Sequence, residues 1–531
     1  MARQPIIAAV RLESTPAGLL ERPLRLFEWA LLCTLLAGAA VLLRVLQGFE
    51  YGLDQGIYAV VADAITADGV PYRDAWDFKP PGVFYVFALA RTLFGEDMAG
   101  VRWLESLGFA SLVPAFGLLS RRFTGRLEPG LLGAALAISG HVWMGFWQTG
   151  QPESFGAVLV AWALVFATTQ PGQGRRGWPW WAAAGVAYGL AGLLKPPLGG
   201  GVLVSAALAA RDAGRAADAP RRLRAAALPV AVYAVASLLP VLVVLLHIAA
   251  HGGLGDLREA LLVFAPGYTA LTYHGSNPLV FWFRTAEFLL FRFSLLGVTG
   301  LVLLFAMPGR RETETPGVVH VLGVLAFQLA GVALQARFFP YHYGAAAPLV
   351  ALLAGIGLWK LTRIGRRFGL GTLALLLLLL GNANGPNGPV AGSPWRRWQT
   401  WEDGRGYNAP RKEVARWLRR NTPEAASLYV WGFDPVLYDF ARRRPASRFI
   451  YNAPQRAPWY AERGRPALME ELRSTPPDAI VVQRGDVHPG TAGNRDDSST
   501  ALGGFPELRS FLDTGYARAT RIGDFTIHLR R

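Results

Sequence analysis

The chain has 531 residues, of which 52% are hydrophobic and only 17% charged, with a formal net charge of +16 and a mean hydropathy of +0.27. That balance excludes an ordinary soluble domain, in which about a quarter of the residues carry charge. A single cysteine, Cys33, excludes a disulfide framework and cysteine-based metal centres.

A helix needs about 20 mostly apolar residues to cross a bilayer. Runs near that length recur at 26–47, 99–120, 129–148, 153–169, 178–194, 197–210, 226–248, 279–306, 317–336, 344–362 and 369–385. They predict a polytopic α-helical membrane protein with about eleven transmembrane helices. The 153–169 and 197–210 runs are short, and 279–306 is long enough to tilt or break. The first run follows 25 residues, exceeds a signal's apolar core and lacks a small-x-small site, so it reads as a retained helix.

Lysine and arginine favour the cytoplasmic side of short loops. With the N-terminus inside, twenty of them fall in the inside segments and six in the outside loops. This asymmetry accounts for the net charge without nucleic acid. It places the first loop (48–98) and everything past residue 386 outside the membrane. The Ala/Gly/Arg-heavy composition points to a bacterial, multi-pass cytoplasmic (inner) membrane protein.

Between the first two runs stands "YGLDQGIYAVVADAITADGVPYRDAWDFKPPGVFYV", Tyr51 to Val86, with five aspartates. Ile57, Val60, Val61, Ala64 and Ile65 recur at helical spacing and predict an interfacial amphipathic helix. Asp54 opens it, where the helix dipole favours a carboxylate and backbone donors need a cap. A turn-rich link follows, then a second short apolar helix over 82–95. Lys79 precedes Pro80-Pro81, which stiffen its backbone. A fixed cation at headgroup depth suits a lipid phosphate.

Farther along, Glu153 and Lys195 stand in outer turns, as caps or as ligands of an acceptor, cation or phosphate. Residues 251–278 are too polar to span and are expected along the membrane surface, with Tyr268 at headgroup level. Arg284 and Arg292 fall inside the 279–306 run, where charge is costly and faces a cavity or a partner such as Glu287. "QARFFPYHY" (335–343) gathers Arg337, Tyr341, His342 and Tyr343 at an outer helix end. His247, His251, His274 and His342 show no paired metal spacing within one helix, so a structural zinc is not expected. The Gly/Asn/Pro-rich stretch 386–394 reads as a linker between a transmembrane module (1–385) and a small outer α/β domain (395–531). In the latter "SLYVWGF", "AIVVQ" and "FTIHLRR" have strand character.

The motif "D-x-G-x-Y" of Asp54 to Tyr58, followed by "P-Y-R-D-x-W-D-x-K-P-P-G" of Pro71 to Gly82, resembles the GT-C class of membrane glycosyltransferases. Within that class it is similar to bacterial enzymes related to the protein O-mannosyltransferases and the lipid A aminoarabinose transferase. "QARFFPYHYGAAAPLVALLAG" and "VWGFDPVLYDFARRRPASRFIY" extend the resemblance along nearly the whole chain. It implies transfer of a sugar, with inversion, from a polyprenyl-phosphate donor to a hydroxyl of a lipid, glycan or protein outside the cytoplasmic membrane. Asp54 matches the family's base and Lys79 its phosphate-binding lysine. Two departures stand out: Gln55 replaces a glutamate found in many relatives, and Ile57 replaces an arginine of the aminoarabinose enzymes. Arg337, Arg284 and Arg292 are candidates for the missing phosphate contact. Glu153, Asp77, Tyr58, His342 and Tyr343 are candidates for the acceptor or a cation. No cofactor is called for, although a divalent cation stays open with Gln55 removing one ligand. A transporter or flippase of lipid-linked substrates is disfavoured by the lack of an internal repeat. A non-catalytic envelope sensor would leave the first-loop motif unexplained.

Overall fold

The computed structural model describes residues 26–169, 177–273, 278–289, 295–307, 313–360 and 394–531. The candidate span 369–385, the linker up to residue 393 and Arg292 lie outside those residues. The chain opens with α1 (Leu26–Leu46), α2 (Leu53–Thr66) and α3 (Gly82–Phe94). Helices α4 (Met98–Ala110) and α5 (Leu112–Thr124) run on through Ser111. Then come α6 (Glu128–Trp143), α7 (Pro152–Ala167), α8 (Trp178–Leu194), α9 (Gly201–Ala216) and α10 (Arg222–Ala250).

Among the described residues, Met98–Thr124, Ala219–Ala250 and Glu314–Gln335 are long and apolar enough to cross a membrane. Shorter apolar helices, such as Pro152–Ala167 and Ala346–Trp359, pack beside them. Within the long run 279–306, the described residues include helices Pro278–Glu287 and Leu295–Ala306. The run 197–210 starts late, because Pro196 and Pro197 lack donors and open a 3-10 turn before α9. Val235, Val243 and Leu246 of α10 stay exposed, an apolar face suited to lipid rather than water. Small residues let backbones touch where helices cross: a Cβ on Gly133 of α6 would lie 2.9 Å from the Cα of Leu352.

Residues 394–531 form an α/β unit around a five-stranded sheet. Its strands are β1 (Ser427–Trp431), β2 (Arg444–Pro445), β3 (Ala479–Gln483), β4 (Tyr516–Ile522) and β5 (Phe525–Arg530), in the order β2-β1-β3-β5-β4. Strand β1 pairs in parallel with β2 and β3, whereas β5 is antiparallel to β3 and β4. The three strand-like runs of the sequence are β1, β3 and β5. Edge strand β4 escaped that reading because Arg518 and Arg521 interrupt its apolar pattern.

The first loop departs from its expected picture in one respect. Gln55 to Ala62 of α2 are buried on every side, not only on a membrane-facing stripe. The α/β unit covers the other face: a Cβ on Gly56 would lie 2.9 Å from the Cβ of Val436. Further contacts clamp the loop to this unit. The amide of Trp76 donates to the carbonyl of Arg448 (2.7 Å), Asn408 donates to the carbonyl of Tyr51 (2.9 Å), and Lys412 pairs with Glu50 (2.5 Å). Arg91 of α3 pairs with Asp63 of α2 at 3.0 Å and with Asp439 of the α/β unit. Residues 254–273 hold the same unit from the other side, through Arg448–Asp256 (2.6 Å) and Tyr460–Glu259 (2.8 Å).

Candidate active site

Asp54 lies in the first turn of α2. Capping falls to its neighbour: the Gln55 side chain accepts from the amide of Gly52 (2.9 Å) and donates to the carbonyl of Thr149 (2.5 Å). The Asp54 carboxylate is thereby left for other work. Its Oδ1 meets Lys79 Nζ at 3.2 Å, with both side chains about one-fifth exposed. The same ammonium reaches Asp77 Oδ2 at 3.4 Å. Burial would lower the Lys79 pKa, but Asp54 and then Asp77 outweigh it and hold the amine above the ordinary lysine range. Lys79 is a fixed cation.

Local backbone geometry sets that position. Buried Tyr72 adopts a left-handed φ of 72°, a conformation that costs roughly 1–3 kcal/mol. Its amide donates to the carbonyl of Ala75 and its hydroxyl to the carbonyl of Lys79, both at 2.8 Å. The turn therefore delivers Lys79 from one side while Pro80 and Pro81 stiffen it from the other. The Tyr58 and Phe78 rings flank the ammonium at 5.3 and 5.1 Å.

Several groups of the recess were not singled out in the sequence. Gln151 donates to Asp54 Oδ2 (3.4 Å) and accepts from Tyr58 (3.0 Å). Tyr451 of the α/β unit donates to Asp77 Oδ1 (2.7 Å). Tyr58, Tyr268, Tyr341, Tyr407, Tyr451 and His488 all stand close enough to feel the Asp54 charge. Aromatic walls around a few convergent polar groups are the usual make-up of a ligand pocket.

The remaining candidates distribute as follows. Arg337 stacks on Tyr268, 3.8 Å from the ring centre, and donates to the carbonyls of Gly490 (2.7 Å) and Tyr268 (2.8 Å). Tyr268 also packs on Phe78 (4.4 Å), so Arg337 stands two rings from Lys79. Glu153, buried in the first turn of α7, pairs through Oε1 with Lys195 (2.5 Å), and its Oε2 has no hydrogen-bond partner among the described residues. Glu153 and Lys195, considered separately in the sequence, thus form one ion pair. His342 is buried, and burial followed by the Lys195 and Arg337 charges holds its pKa well below the usual range, so the ring is neutral. Tyr343 and Arg284 join a different set of contacts: Tyr343 bonds Thr285 (3.1 Å) and stacks on Phe288 (4.4 Å), and exposed Arg284 pairs with Glu287 (2.7 Å). Neither shares a hydrogen bond or ion pair with Asp54 or Lys79 among the described residues.

Asp54 and Asp77 are the carboxylates a divalent cation would use here, but both hold Lys79. No third His, Cys, Asp or Glu joins them among the described residues. This donor set does not fit a cation while the ammonium is in place.

Residues 78–247, from just before Lys79 to the last turn of α10, match the family model described as dolichyl-phosphate-mannose-protein mannosyltransferase. Among solved structures, the chain is similar to ArnT from Cupriavidus metallidurans bound to undecaprenyl phosphate. Identity is 15% and the TM-score 0.61, over 95% of this chain and 98% of that one. The apo state of ArnT aligns at 16% identity and a TM-score of 0.56, over 94% and 98% of the two chains. An Archaeoglobus fulgidus oligosaccharyltransferase tethered to an acceptor peptide aligns at 14% identity and a TM-score of 0.48, over 95% of this chain and 74% of that one. No curated protein sequence gives a match. In its fold, and in the sequence of residues 78–247, the chain resembles the GT-C membrane glycosyltransferases.

Proposed function

We propose that the chain is a membrane glycosyltransferase that moves a sugar from a polyprenyl-phosphate donor to an acceptor hydroxyl on the extracytoplasmic side of a bacterial inner membrane. The observation that carries this reading is the Asp54–Lys79 pair, held at 3.2 Å in an aromatic recess between the first loop and the α/β unit. Without ligand the two charges neutralise each other. A donor phosphate would take over the ammonium and release the carboxylate. Asp54 then removes the proton of the acceptor hydroxyl as its oxygen attacks the anomeric carbon. The bond from that carbon to the phosphate oxygen breaks, and the electron pair leaves with the phosphate, whose charge Lys79 stabilises. Direct displacement places the attacking and departing oxygens on opposite sides of the carbon, so configuration inverts. Arg337 lies near enough to Lys79 to serve as a second phosphate contact.

Mass spectrometry of envelope glycans and glycolipids tests the reaction class. A strain lacking the chain should lose one sugar from an envelope component and accumulate the corresponding polyprenyl-phosphate sugar. An unchanged envelope would remove the transferase reading, and donor confined to the cytoplasmic leaflet would favour a flippase.

Orientation has its own test. In a Cys33→Ser background, Ser474→Cys on the surface of the α/β unit should react with an impermeant maleimide in intact spheroplasts. Labelling only after lysis would invert the topology.

A further inference from the structure

In a displacement with inversion, Lys79 cannot stay 3.2 Å from Asp54 while one serves the departing phosphate and the other the attacking hydroxyl. The two oxygens lie on opposite sides of the anomeric carbon, so the ion pair has to part when donor binds. The ammonium then needs another anchor. Among the described residues, Asp77 is the other carboxylate paired with it, at 3.4 Å, and its side chain is fully buried.

Asp77 is itself held from a distance. Its Oδ1 accepts from the hydroxyl of Tyr451, 374 positions away in sequence, which leaves Oδ2 for Lys79. Tyr451 is 1% exposed and is wedged between Trp76 (5.8 Å between ring centres) and Phe433 (5.9 Å). The hydrogen bond from the Trp76 amide to the carbonyl of Arg448 ties the two chain segments together beside it. The α/β unit therefore fixes where the Tyr451 hydroxyl points.

We infer that the α/β unit completes the donor site: Tyr451, acting through Asp77, sets the place Lys79 takes when it leaves Asp54. Both are positioning residues, and the assignment rests on the proposed transferase reading. An ammonium has three N–H donors; once Asp54 has parted, one goes to Asp77 and two are free for phosphate oxygens. The Tyr451 hydrogen bond occupies one Asp77 oxygen and draws off part of its charge. Lys79 is then incompletely neutralised and still able to bind an anion. Without that hydroxyl, both Asp77 oxygens would turn to the ammonium and compete with the phosphate.

Binding of undecaprenyl phosphate to the full-length detergent-solubilised protein tests this without knowledge of the sugar or acceptor. Tyr451→Phe keeps the ring in its packing and should weaken binding about tenfold, the scale of one hydrogen bond to a charged group. In a Lys79→Met background, already weakened, the same substitution should cause no further loss, because its effect runs through the ammonium. An equal loss in both backgrounds would make Tyr451 a support of the fold and overturn the inference. Unchanged binding in Tyr451→Phe would overturn it too. If the wild-type protein does not bind undecaprenyl phosphate at all, the donor reading fails first and the inference with it.

Discussion

Asp54→Asn should lower sugar transfer by about 10²–10⁴-fold, the share a positioned general base contributes, while membrane insertion and thermal stability stay near wild type. Binding of the donor phosphate should respond in the opposite direction. Asp54 neutralises Lys79 at 3.2 Å in the ligand-free protein, so removing its charge leaves the ammonium freer to bind an anion. The variant should therefore bind undecaprenyl phosphate as tightly as the wild type or more tightly. A damaged fold would lower both quantities; a lost base lowers only turnover. Steady-state transfer with the donor that accumulates in the deletion strain, combined with native mass spectrometry of the lipid complex, separates the two. Turnover within about threefold of wild type would remove Asp54 from the base role.

The second large effect concerns stability. Arg102 of α4 has no exposed surface. It donates to the carbonyls of Phe49 (3.2 Å), Glu50 (3.0 Å) and Phe146 (3.2 Å), to Thr149 Oγ1 (3.0 Å), and to Glu105 Oε2 (2.8 Å). Glu105 Oε1 in turn takes the Gly150 amide (2.5 Å) and contacts His141 Nε2 (2.8 Å). One guanidinium thus ties the entry of the first loop to the turn that carries Gln151. Arg102→Met leaves Glu105 buried without its cation, and breaking such a pair costs about 3–5 kcal/mol. The expected result is a clearly lowered melting temperature in detergent, together with loss of transfer as Asp54 and Gln151 lose their common frame. Arg102→Met combined with Glu105→Gln should recover part of the stability, since no buried charge is left alone. A single variant within about 1 kcal/mol of wild type would show that the network does not hold the loop.

Much of the architecture was legible because a bilayer restricts the backbone so severely. Every peptide group inside hydrocarbon must be paired within its own segment, so apolar runs such as 226–248 and 317–336 correspond to helices α10 (Arg222–Ala250) and Glu314–Gln335. The motif around Asp54 and Lys79 was legible because proline, a helix start and clustered carboxylates are local features. Arg102 escaped notice although it carried a signal: an arginine and a glutamate three residues apart inside an apolar run mark a buried pair. Gln151 gave none, because an amide beside a proline at a helix start reads as a cap.

By itself, the sequence determined the helical membrane class, the α/β character of the last part of the chain and the two charged residues of the first loop. These follow from hydropathy, helical periodicity and the stiffness of proline, all of which act over a few neighbouring residues. The tertiary structure alone decided that Asp54 and Lys79 share one contact, that Glu153 and Lys195 neutralise each other, and that Tyr451 reaches Asp77. Such meetings depend on how helices and the α/β unit pack over hundreds of intervening residues, and side-chain chemistry at a single position does not encode its distant partner.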